Sequence, residues 1–174
     1  MNNERENEGP VKDIFIDRWS PRSFDHTYEL TDRETASLFE AARWAPSCFN
    51  DQPWTFLVAR RKDKHFSDFL DLLVDFNQTW AKNASLIGFI VARNDFEKKD
   101  GANDSAKFDC GAAWMSLTLQ ARDLELFTHG MAGINYEEAY EKLNIPKNTH
   151  TLICAFAVGK RAPKTQLPEG MQDD

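Results

Sequence analysis

Three short segments of this 174-residue chain gather residue types that bind or activate small molecules. The first is Arg18-Trp19-Ser20-Pro21-Arg22, where two guanidiniums and a hydroxyl fall within five residues. Forked, permanently charged donors of this kind match the oxygens of a phosphate; basic residues at a helix end also simply complement its dipole. The second is Pro46-Ser47-Cys48-Phe49-Asn50-Asp51-Gln52-Pro53-Trp54. Its hydroxyl and amide groups can read both donors and acceptors on the edge of a heterocycle, and the same residues also make an ordinary turn. The third is His129-Gly130-Met131-Ala132-Gly133, whose glycines allow backbone N–H groups to approach a ligand closely.

Other chemistries find less support. No G-x-G-x-x-G follows a strand and no P-loop is present, so neither a dinucleotide-binding unit nor a nucleotide triphosphate site is indicated. Cys48, Cys110 and Cys154 are odd in number and widely spaced, which suggests neither a disulfide framework nor a zinc site. Cys110 and Cys154 lie in apolar runs and are expected to be core thiols. His26, His65 and His150 have no partner pattern and are expected on the surface or with satisfied rings. His129, within the glycine segment, is the histidine placed to meet a substrate. A nucleophilic pair of Cys48 and His129 has no support in the spacing, so no catalytic acid, base or metal ligand is assigned. A net charge of -7 and a pI near 5.1 argue against a nucleic-acid surface. The polar N-terminus and the lack of a long apolar run point to a cytoplasmic chain with no membrane partner.

The elements that must position these segments read as one domain over residues 11–174, preceded by a flexible tail at 1–10. Helices are expected at 11–18 and at 31–45, the second opened by a capping box between Thr31 and Glu34. An aromatic, branched strand at 54–59 follows the second segment. Helical periodicity at 63–76 puts Phe66, Phe69, Leu70, Leu73 and Phe76 on one side. A strand at 86–92 and a polar loop at 94–104 lead to a long helix at 105–127. That helix is apolar nearly all round its middle, which predicts burial on every side in a central or subunit-interface position. A glycine-bearing loop at 128–135, a short helix at 136–143, a strand at 151–158 and a polar surface tail complete the chain. Three strands among five helices in mixed order predict an α+β fold.

Together the three segments resemble those of the nitroreductase-like family of FMN-dependent oxidoreductases. The first is similar to the family's Arg-x-Ser-x-Arg signature. The second is similar to its Pro-Ser-Ser-x-Asn-x-Gln-Pro-Trp motif, with Cys48 at the second Ser, and the third sits where the family has a glycine-containing loop under the flavin. The resemblance runs from about Asp13 to Gly159. It implies a mixed central sheet flanked by helices, with a long central or interface helix. It also implies an obligate homodimer with two FMN sites between subunits, and ping-pong transfer from NAD(P)H to a nitroaromatic, quinone or similar small acceptor.

Carried over by residue, Arg18 and Arg22 hold the phosphate and ribityl end of FMN, with Trp19 and Ser20 completing the contact. Pro46, Ser47, Asn50 and Gln52 come from the neighbouring subunit or pack on the flavin edge, and Asn77 falls at a family position. Gly130, Met131, Ala132 and Gly133 place a backbone N–H toward flavin N5, the atom that accepts hydride. Many relatives carry a basic segment beyond the Leu-Pro-Glu seen here at Leu167 to Glu169. Without it, Lys160 and Arg161 are the expected source of the remaining charge on the phosphate. A flavin-binding or scaffold protein of the same fold, without nitroreductase activity, is the alternative reading.

Overall fold

The computed structural model describes residues 8–172. Most of the expected N-terminal tail, residues 1–7, lies outside the described residues. The elements in chain order are α1 (Asp13–Asp17), α2 (Asp32–Arg43), β1 (Trp54–Arg60), α3 (Phe66–Asp71), α4 (Asp75–Ala81), β2 (Leu86–Arg93), α5 (Ala106–Asp123), β3 (Phe127–Met131), α6 (Tyr136–Lys142) and β4 (His150–Gly159). The four strands form one sheet in the order β1-β2-β4-β3. This is an α+β architecture, as the pattern predicts, but with a fourth strand. All three pairings are antiparallel, which corrects the expected mixed sheet. β2 and β3, joined through α5, do run in the same direction. β4 inserts between them, so no parallel pair forms.

The sheet is buried on both faces. Leu86, Ile90, Phe156 and Val158 point toward α2 and α5, where they meet Leu38, Ala42, Cys110, Ala113 and Leu117. Ile87, Phe89, Val91, Ala155 and Ala157 point the other way, onto Phe66, Leu73, Trp80 and Ala139. A strand covered on both sides needs a continuous apolar run, and β2 has one from Leu86 to Ala92. In β4, Ile90 opposes Cys154 while Val91 opposes Leu152, so Ile153 is an extra residue. This bulge reverses the alternation and returns Leu152 to the face of Ala155.

Gly88 marks the tightest point of the sheet. A Cβ built there would touch Phe156 Cζ, lie 2.6 Å from Phe156 Cε1 and lie 3.0 Å from the Leu57 carbonyl oxygen. Phe156 is itself fully buried and has little room to yield. Gly88→Ala should therefore cost about 1–3 kcal/mol through overpacking, read as a lowered melting temperature. An unchanged melting temperature would show that the Phe156 ring repacks freely.

Local signals and tertiary pairing diverge at several elements. The capping box forms as expected: Thr31 Oγ1 accepts from Glu34 N at 3.1 Å, and Thr31 N donates to Glu34 Oε2 at 2.8 Å. The helix expected at 63–76 is instead split into α3 and α4. Between them Leu73 bridges to Ile134, Val74 N donates to the Gly133 carbonyl, and Asn135 N donates to the Leu72 carbonyl. These long-range bonds take the backbone groups that helix continuation would have used, and Phe76 emerges at the start of α4 on the surface. The helix expected to reach 127 ends at Asp123, because Glu125 adopts a left-handed conformation (φ 60°). Phe127 then opens β3, so the first half of the expected glycine loop is an edge strand. Within the single chain, Phe108, Gly111 and Met115 leave an open stripe along α5. After β4 the tail makes two single 3-10 turns on the surface, anchored by buried Leu167.

Candidate functional site

Two of the three segments meet at the edge strand β3. Residues 18–22 run alongside it. The Trp19 ring meets Phe127 edge-on at 6.2 Å, and His129 Nδ1 lies 3.0 Å from the Pro21 carbonyl oxygen, which sets that nitrogen as the donor. The chain leaving β4 holds the same segment from its other side. Phe24 pairs with Arg161, Ala162 N donates to the Ser23 carbonyl at 3.0 Å, and Ser23 Oγ donates to the Pro163 carbonyl at 2.8 Å. The Arg161 guanidinium lies 5.1 Å from the Trp19 ring centre, and the Arg22 guanidinium 5.7 Å from that of Phe76. Arg18, Trp19 and Ser20 are all half-buried along this line. Lys160 goes elsewhere, to 4.7 Å from the Tyr28 ring centre. Neighbours on an extended chain face opposite ways, so only one of the two residues 160 and 161 can join the segment, and it is Arg161.

Further along β3 the backbone is nearly bare. Gly130 and Ala132 are exposed, and beneath them the buried Asn77 donates from Nδ2 to the Gly133 carbonyl at 3.1 Å. A Cβ at Gly133 would lie 2.6 Å from Asn77 Nδ2 and 2.8 Å from Val74 Cγ2, so glycine is what lets this amide close on the turn. His129 is engaged with the fold: its ring centre lies 4.6 Å from that of buried Trp80. The edge thus offers exposed backbone at Gly130 and Ala132, with the Trp114 ring 3.6 Å from a Cβ built at Gly130 and the Asn77 amide beside Gly133, near the arginines of the first segment and of the β4 exit. A flat heterocycle that carries an anionic tail fits these residue types.

The second segment lies at the opposite corner of the sheet. Its Cys48 N–H donates to Asp109 Oδ2 on α5 at 3.0 Å, Gln52 N donates to Ser47 Oγ at 3.0 Å, and Gln52 Nε2 donates to Asn50 Oδ1 at 3.0 Å. Phe49, Asn50 and Gln52 all have positive φ (54°, 55° and 49°), a strained run of the kind that persists where surroundings fix it. The fixing group is Asp51, whose carboxylate accepts from Arg93 Nη2 at 2.9 Å, Glu97 N at 2.9 Å and Asn103 Nδ2 at 3.2 Å. Pairing places His129 opposite Ala157, Ala157 opposite Ile87 and Ile87 opposite Ala59, five residues along β1 from Trp54. Three strand spacings and five residues of rise separate the two segments by roughly 20 Å. Cys48 and His129 therefore form no nucleophilic pair within one chain. Burial, moreover, pushes the Cys110 thiol up to about 12 and the Cys154 thiol up to about 11, which keeps both inert.

Around the second segment the surface is unusually apolar. Phe108 is 81% exposed, Phe49 78% and Trp44 74%, with Met115 two helical turns beyond Phe108. Patches of this kind mark surfaces that meet a partner. Asp51 and Asp109 carry structural weight at the second segment and have no local motif that would announce them. Their partners lie elsewhere in the sequence, and only the fold brings them together.

An antiparallel sheet between two helical layers, with arginines and bare glycine backbone gathered on one edge, defines a class of α+β domain suited to a flat, anionic cofactor. The nitroreductase family model matches residues 16–82 and 73–160, and the chain belongs to that family. A crystal structure of an oxidoreductase containing FMN is similar over 98% of this chain and 87% of that one, with 37% identity and a TM-score of 0.93. A CLA biosynthesis enone reductase from Lactiplantibacillus plantarum is 25% identical over 187 residues, covering 87% of this chain and 86% of the relative. An oxygen-insensitive NADPH nitroreductase from Helicobacter pylori is 36% identical over 52 residues, covering 30% of this chain and 25% of the relative.

Proposed function

We propose that the protein is an FMN-dependent NAD(P)H oxidoreductase that works as a homodimer and reduces small acceptors such as nitroaromatics, quinones or enones in a ping-pong cycle. The observation that carries this reading is the edge of β3, where the exposed backbone of Gly130 and Ala132, the Asn77–Gly133 hydrogen bond and Arg22 come together. Family membership and the likeness to an FMN-containing oxidoreductase support it. FMN, when bound, supplies the two-electron chemistry that links NAD(P)H to the acceptor.

The chain's own residues bind, orient and screen. Arg18 and Arg22 offset the negative charge of the cofactor, and Trp19 and Ser20 line the approach. Asn77 locks the turn so that the backbone N–H groups of residues 130–133 hold a fixed direction toward the flavin edge. Because the second segment lies roughly 20 Å from this edge within one chain, Pro46, Ser47, Asn50 and Gln52 reach it from a second copy. The exposed aromatic patch beside that segment is the surface this pairing covers. Residues 11–174 act as one domain, since both helical layers pack on a single sheet.

The test is an absorbance spectrum of purified protein given FMN and freed of excess, followed by NADH or NADPH without oxygen. Retained flavin that bleaches with one nucleotide supports the reading and names the donor. Retained flavin that bleaches with neither replaces it by a flavin-binding protein of another activity. Failure to retain flavin replaces it by a scaffold.

A further inference from the structure

Arg122 lies outside all three chemistry-bearing segments. It sits in the last turn of α5, where its guanidinium covers the Phe127 ring at 4.6 Å from the centre. Its Nε and Nη1 are buried and have no hydrogen-bond partner among the described residues. Desolvated donors on a fixed cation are costly to leave unmet, so such a group is expected where an anion completes it. Arg122 lines a cavity of about 350 Å³ together with Glu125, Phe127, Arg161, Ala162 and Pro163. Arg161 reaches the same cavity from the β4 exit, stacked on Trp19, which in turn meets Phe127. Two guanidiniums are thus laid across one aromatic pair, and stacking restrains both before any ligand arrives.

We propose that Arg122, acting with Arg161, holds the phosphate of bound FMN. The assignment rests on the FMN reading above and adds to it a residue from the α5 helix. A phosphate monoester is close to a dianion at neutral pH, and the two arginines outweigh Glu125, the one carboxylate that lines the cavity. The placement also suits the length of the ligand. Gly130 to Ala132 lie three to five residues along β3 from Phe127, or roughly 10–16 Å at strand rise. A ring joined to a phosphate through a five-carbon chain spans a distance of that order.

The test compares FMN with riboflavin, which has the same ring and no phosphate, by quenching of flavin fluorescence on titration with flavin-stripped protein. Arg122→Gln should weaken FMN binding about 10- to 100-fold and leave riboflavin binding unchanged. Glu125→Gln should tighten FMN a few-fold and also leave riboflavin unchanged. Retained riboflavin binding doubles as the sign that each variant is folded. If Arg122→Gln leaves the ratio of FMN to riboflavin affinity where it is in the parent, the assignment fails while the FMN reading stands. If the parent protein binds neither flavin, the FMN reading fails and the assignment with it.

Discussion

Gly111→Arg is expected to turn a flavin-loaded dimer into a flavin-free monomer while leaving the protomer folded. Phe108, Gly111 and Met115 follow one another at helical spacing on α5 and form its open stripe. Nothing lies within 4 Å of a Cβ built at Gly111, so the isolated chain has room for a long side chain there. Exchanging an exposed helical glycine for a good helix former should even stabilise the protomer by up to about 1 kcal/mol. Only a second copy against this stripe makes the arginine harmful, because its charge would then be buried without a partner. Light scattering after size exclusion reads the mass, and flavin absorbance in the same peak reads the cofactor. A monomer that keeps its flavin would show that the second segment is not supplied by a partner. A dimer that keeps its flavin would show that α5 is not the interface.

The contrast between what the sequence announces and what it hides follows the range of the interactions. The capping box at Thr31 and Glu34 is a local device, and it forms as read. β1, β2 and β4 announce themselves through their own apolar residues. β3 does not: its Thr-His-Gly stretch becomes a strand because β4 offers it a ladder from Gly159 to Ala155. The broken helix at residues 72–74 has the same origin, since its backbone bonds go to residues 133–135. At the candidate site, the arginines and glycines are legible through motif resemblance. The choice between Lys160 and Arg161 is not, because it depends on which side of an extended chain faces Trp19. Arg122 and Asp109 are silent for a further reason: each sits in a helix whose pattern explains it equally well as a solvated or core position.

Asp51→Ala should cost about 3–5 kcal/mol, the range for stripping one partner from a buried ion pair. The Asp51 side chain is only 3% exposed and that of Arg93 23%, so the arginine left behind regains water only in part, which favours the lower end. Three segments lose their common anchor at once: the loop before β1, the end of β2 through Arg93, and the 94–103 loop through Glu97 N and Asn103. The left-handed run at Phe49, Asn50 and Gln52 has no other charged group in its own loop to hold it, and it should relax toward unstrained backbone. Asp51→Asn keeps the shape and one acceptor oxygen while removing the charge, so it should fall between the parent and the alanine variant. Thermal unfolding gives the stability change, and limited proteolysis at 46–53 gives the loop opening. Because this loop is the part proposed to reach the partner's flavin, flavin retention should fall in the same order: parent, Asp51→Asn, Asp51→Ala. Full retention in a destabilised Asp51→Ala would separate the loop from the cofactor and confine Asp51 to a role in the fold.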